Sequence, residues 1–164
     1  MSKKSHHEHA AKQRNRAIKV SASWVIGLGA VLAAVYFVGT APKVPASEYL
    51  TTTGLHYHPH LTITVNGENV PIPANIGIGA VHNPIHTHEA DSIIHLEFEG
   101  RVKKTDTKLG EFFALWGKEW TATSFMGNPI DATHKLIMKV DGVESTEYGD
   151  LLMKDKQQIE LIYQ

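Results

Sequence analysis

Two His-x-His pairs, "HPH" at residues 58–60 and "HTH" at 86–88, and a further histidine at 95 are the residues whose type and spacing suit chemistry. Imidazole is the commonest metal ligand in proteins, and its unperturbed pKa near 6.5 leaves a lone pair available at neutral pH. The chain has 11 histidines and no cysteine. Thiolate sites and disulfides are therefore excluded, and an all-nitrogen donor set with optional carboxylate suits copper or zinc. His58, His60, His86, His88 and His95 are the candidate ligands. Glu97, Asp91 and Glu89 are candidates to orient a ring N–H or to supply a fourth ligand. His82, on the preceding loop, is a reserve, whereas His56 and His134 read better as ordinary polar residues.

A strand is the element that aims such pairs, because side chains two apart share a face. In "HYHPHLTITVNG" the run Leu61, Ile63, Val65 alternates with Thr62 and Thr64. If the register holds through Pro59, His58 and His60 line the face away from the core. "IHTHEADSIIHLEFE" reads as a hairpin with the loop Glu89-Ala90-Asp91-Ser92. His88 then faces Ile93, and His86 sits directly opposite His95. Cross-strand neighbours have Cβ atoms roughly 4.5–5.5 Å apart, close enough to share one ion. The bland alternative is a solvated, pH-sensitive polar face.

Asn66-Gly67 and Asp141-Gly142 each read as a two-residue hairpin turn, because both central residues of that turn need positive φ. A strand near 58–65 is thus followed by one near 69–73, where Pro71 and Pro73 argue for an edge or an early end. Leu109, Phe112, Phe113 and Trp116 fall at i, i+3, i+4 and i+7, the stripe of an amphipathic helix. Asp106 or Thr107 can cap its start, and Gly117 can end it. "QQIELIY" alternates as a closing strand. The fold class is α+β: a small β-grasp-like domain with a mixed or antiparallel sheet packed by one amphipathic helix.

Ahead of this domain, no charged side chain occurs between Val20 and Pro42. About 20 apolar residues cross the hydrocarbon layer, so a transmembrane anchor is expected over 20–41. Residues 1–19 form a basic cytoplasmic segment, since positive charge stays inside; 42–54 form a linker and 55–164 the extracytoplasmic histidine-rich domain. A cleaved signal peptide ending near Val44-Pro45-Ala46 is the alternative, disfavoured by the length of the apolar run. His6, His7 and His9 then lie across the membrane from the other histidines. Ser23, Gly27, Gly29 and Ala33 offer a small-residue face for a second helix. With a formal net charge of -1, nothing points to a nucleic-acid partner.

"HPHLTITVNGENVPIPANIGI", "IHTHEADSIIHLEFE" and "LGEFFALWG" together resemble a family of poorly characterised bacterial envelope proteins. The likeness spans about residues 56–117 and falls on His58, His60, His86, His88, His95 and Glu97. Family members often have a glycine before the Ile-His pair, where this chain has Ser92-Ile93. The resemblance implies that these histidines act as a unit, in a membrane-anchored or secreted protein, but it carries no activity. The function expected is transition-metal binding, copper or zinc, for capture, delivery or sensing at the cell envelope, with an envelope protein or a second copy as partner. Two alternatives stand beside it: a metalloenzyme in which Glu97 or Glu89 serves as general base to a metal-bound water, and a metal-free β-grasp interaction module.

Overall fold

The computed structural model describes residues 24–40 and 44–164. The chain divides into two units at Val44/Pro45. In the first unit, residues 24–40 form helix α1. Among the described residues no helix is long and apolar enough to cross a membrane. Residues 20–23 and 41 of the expected anchor lie outside the described residues, as do the basic segment and residues 42–43.

In the second unit, β1 (Tyr49–Thr51), β2 (Leu55–Tyr57), β3 (His60–Val65) and β4 (Glu68–Asn69) are followed by β5 (Ile85–His86), β6 (His95–Phe98) and β7 (Val102–Lys103). Helix α2 (Leu109–Trp116) precedes β8 (Ser124–Phe125), β9 (Asn128–Pro129), β10 (Leu136–Val140), β11 (Val143–Ser145) and β12 (Gln158–Tyr163). The main sheet has the order β11-β10-β12-β3-β4, with β12 and β3 parallel at its centre and the other pairs antiparallel. Asn66 and Gly67, at φ 51° and 85°, close β3 onto β4; Asp141 and Gly142, at 52° and 81°, close β10 onto β11. Both turns have the positive φ that their sequence demands. The domain is α+β with mixed and antiparallel sheets, as expected.

Helix α2 buries Leu109, Phe112 and Phe113 in one core with Leu61, Ile63, Met138, Ile159 and Leu161. Gly117 ends it in the left-handed region. The expected cap does not form: Lys108 precedes the helix without a side-chain cap. Asp106 instead accepts from the Lys103 N–H at 2.8 Å, starting a 3-10 turn over Lys104–Thr107. The Leu109 N–H finds its partner in the Leu151 carbonyl at 2.9 Å.

A second sheet, with the order β2-β6-β5, is antiparallel throughout. Here the strand expected to run continuously through Pro59 is split. β2 pairs with β6 in this sheet, whereas β3 enters the main sheet beside β12. Pro59 has no N–H to carry a ladder across the junction, and its carbonyl accepts from Ile94 N–H at 3.0 Å. His58 and His60 therefore do not share one strand face.

Candidate metal centre

The register of the second sheet builds the site. His86 pairs with His95 across β5 and β6, as the hairpin arithmetic predicts. On the other side of β6, His56 pairs with Glu97 and Tyr57 with Leu96, which carries His58 next to His95. The His58 and His95 ring centroids are 4.9 Å apart. β6 thus places His95 between histidines from both neighbouring strands, while Ile94 and Leu96 point into the core.

Beyond His86 the ladder stops, and the expected pairing of His88 with Ile93 is replaced by an isolated bridge between His60 and Ile93. The connection is consequently a longer loop, in which Ser92 adopts φ 68°, a conformation that costs an L-residue other than glycine roughly 1–2 kcal/mol. The side chain between the two candidate ligands explains how the loop is held. Thr87 is fully buried; its hydroxyl donates to the Pro73 carbonyl at 2.8 Å and accepts from Ile76 N–H at 3.0 Å. Its backbone also bonds Asn75 and Ile76. Gripping Thr87 on one side leaves His86 and His88 together on the other, with Nε2 atoms 3.1 Å apart.

Asn83 sets the tautomer. His86 Nδ1–H donates to the Asn83 carbonyl at 2.9 Å, so Nε2 carries the lone pair. Asn83 is itself held, its N–H on the Gly77 carbonyl at 2.9 Å and its side-chain oxygen accepting from Ile85 N–H at 3.0 Å. Gly77 has φ 73°, and a Cβ there would collide with the Ile85 carbonyl. Spacing alone does not reveal Asn83, Thr87 or Gly77, because none is a ligand type. Their signal is the "IPANIGI" and "HNPIHTH" context.

Donor atoms of His86, His88, His95 and Glu97 all lie within 4.8 Å of one another, and so do those of His56, His58 and His95. His86 is buried at 1 % exposure, and the His95 side chain is 19 % exposed. His95 Nδ1 is buried without a hydrogen-bond partner, a loss of about 1–3 kcal/mol in a metal-free fold. Burial holds His95 below the ordinary histidine pKa, helped by His88, His58 and His86 and opposed by Glu97. Burial likewise lowers His86; the bond to Asn83 opposes this, while His82 and His88 add to it. Both rings are therefore neutral at pH 7, the state a metal ion requires.

Four of the five candidate ligands, His58, His86, His88 and His95, are brought together here with Glu97. His60 belongs to neither donor group; it starts β3, its N–H on the Gln157 carbonyl at 2.8 Å. Glu89 also lies outside both groups. Asp91 accepts from Ile93 N–H at 3.1 Å and so shapes the loop. His56, set aside on the sequence, and the reserve ligand His82 join the cluster. His56 Nε2 is 3.1 Å from a Glu97 oxygen, and the His82 ring is 4.4 Å from that of His86. Asp155, 97 residues along the chain from His58, accepts from the His58 N–H at 2.9 Å, with the same oxygen 3.6 Å from its Nδ1. His134 is elsewhere, stacked on Tyr163 and hydrogen-bonded to Asp131.

A cavity of about 830 Å³ is lined by Phe113, Trp120, Ile130, Leu136 and Tyr148, among others, and by none of these histidines. A more open groove touches the cluster at His56 and Glu97. The chain matches no protein-family model, no curated protein and no solved structure.

Proposed function

We propose that the domain binds a transition-metal ion, copper or zinc, through His86, His88 and His95 with Glu97 beside them, and serves metal capture, delivery or sensing at the cell envelope. The observation that carries this reading is the 3.1 Å separation of the His86 and His88 Nε2 atoms, with the His86 lone pair fixed by Asn83. Nitrogens bound tetrahedrally at 2.0–2.1 Å from one ion stand roughly 3.3 Å apart. Exposed His88 and half-exposed Glu97 at the rim suit an ion that arrives from and leaves to another protein or a second copy of this chain.

Residues 20–41 are the membrane anchor in this proposal. The absence of charge between Val20 and Pro42 supports it, as do the large apolar side chains exposed along α1, from Trp24 at 76 % to Val38 at 79 %. A helix apolar on every side needs lipid or a partner around it. The strand order with a central parallel pair and one covering helix supports the β-grasp-like reading, and the histidine pattern supports kinship with the envelope family named above.

The test is metal analysis by mass spectrometry of the full-length chain in detergent, with His6, His7 and His9 changed to alanine so that only the folded domain contributes. After exposure to Zn(II) or Cu(II), near-stoichiometric metal is expected, and none at this site in His86→Ala/His95→Ala. A chain that takes up neither ion sinks the reading.

A further inference from the structure

The histidine rings form an unbroken row. Successive centroids are 4.6 Å apart for His56–His58, 4.9 Å for His58–His95, 4.6 Å for His95–His88, 4.7 Å for His88–His86 and 4.4 Å for His86–His82. An ion with tetrahedral preference takes four donors, so one ion at His86, His88 and His95 leaves the His56 end of the row unused. The two donor groups have only His95 in common. An imidazole carries two ring nitrogens on different edges, one of them N–H in the neutral ring, so a ring shared by two ions binds them as imidazolate, its proton passing to solvent as the second ion binds.

Two further features mark the His56 end as built for a ligand. His95 Nδ1 is buried without a hydrogen-bond partner, although the same ring is available to both groups. One Glu97 oxygen lies between the groups, 3.1 Å from His56 Nε2 and 3.8 Å from His95 Nδ1. Asp155 meanwhile fixes the backbone of His58, as Asn83 fixes the ring of His86. A carboxylate or carbonyl beside the second ring nitrogen is the usual companion of a metal-binding histidine, and the same Asp155 oxygen stands 3.6 Å from His58 Nδ1.

We infer that His56, His58 and His95 form a second metal station beside the first, so that the domain carries two borderline divalent ions, copper(II) or zinc, on either side of a shared His95 ring. The inference rests on the metal-binding reading above, and the experiment separates the two. The full-length chain in detergent, with His6, His7 and His9 changed to alanine, is titrated with Zn(II) and read by native mass spectrometry. Two ions per chain are expected, falling to one in His56→Ala/His58→Ala. One ion in the parent chain, unchanged in that variant, or two ions retained by the variant, would overturn the second station while leaving the first standing. No ion in the parent chain would overturn both. His56→Gln/His58→Gln, which keeps polar bulk at both positions, repeats the count if the alanine variant does not fold. Loading with two equivalents of Cu(II) is expected to give a spin-coupled electron paramagnetic resonance spectrum, and two independent copper signals would overturn the sharing of His95.

Discussion

His86 and His95 are pushed below their ordinary pKa of 6.5 mainly by burial. In the metal-free chain the unfolded state then binds more protons than the folded one as pH drops past 6.5. Stability is complete above that value and is lost as pH falls from it through the lowered folded values. Thermal melts of the metal-free chain are expected to shift downward between pH 7.5 and 5.5, and bound metal should be released as protons compete for the same nitrogens. A flat profile would show that these rings do not titrate with folding. Asn83 offers a second check, although the bond it makes to the His86 ring is through its backbone: its side chain holds the loop by accepting from Ile85 N–H. Asn83→Ala is expected to weaken metal binding by about 10–100-fold, measured by competition with a chelator of known affinity. At this scale the sequence revealed the residues whose chemistry is written in their type. The opposition of His86 to His95 followed from counting across a hairpin. His60 was misplaced because Pro59 sends it to another sheet, and Asn83 and Asp155 were invisible because their part depends on a backbone path rather than a spacing.

The elements that hold the row are short strands and a loop, and two backbone positions decide how well they do so. Ser92 sits at φ 68°, in the left-handed region that favours glycine. Ser92→Gly is expected to raise stability by about 0.5–1 kcal/mol in urea unfolding by relieving that conformation, with metal stoichiometry unchanged. Gly77→Ala should act in the opposite direction. Its methyl would meet the Ile85 carbonyl, so either β5 or the loop must move, carrying His86 and Asn83 with it. A loss of more than about 2 kcal/mol is expected, together with weaker metal binding; an unchanged urea midpoint would contradict the tight approach. The two Gly-containing hairpin turns and the aromatic stripe of α2 were legible because local chemistry alone determines them. The break between β2 and β3 was not, since alternation reads straight through it and only the competing ladders of two sheets reveal it.

At the scale of the whole molecule, His86 lies on β5, His95 and Glu97 on β6 and His88 in the loop between them, so an ion held by this group would tie β5 to β6. An ion bound only by the folded state at 100 times its dissociation constant adds about 2.7 kcal/mol. For a domain of this size, that raises the melting temperature by about 10 °C, checked by calorimetry with and without Zn(II). The strand order of the main sheet was the least legible feature, because no periodicity says that β12 will lie parallel to β3. That central pairing has a consequence in time. Gln158 meets His60 and Tyr163 meets Val65, so the middle of the sheet is its last strand to be synthesised, and closure must wait for it. Topologies so dependent on distant pairings fold slowly, in milliseconds to seconds. All six histidines of the row lie between residues 56 and 95, and so each leaves the ribosome before the strand that completes the framework around it. A nascent chain therefore presents its imidazoles to passing ions while still unfinished, and early metal capture would compete with correct closure of the sheet.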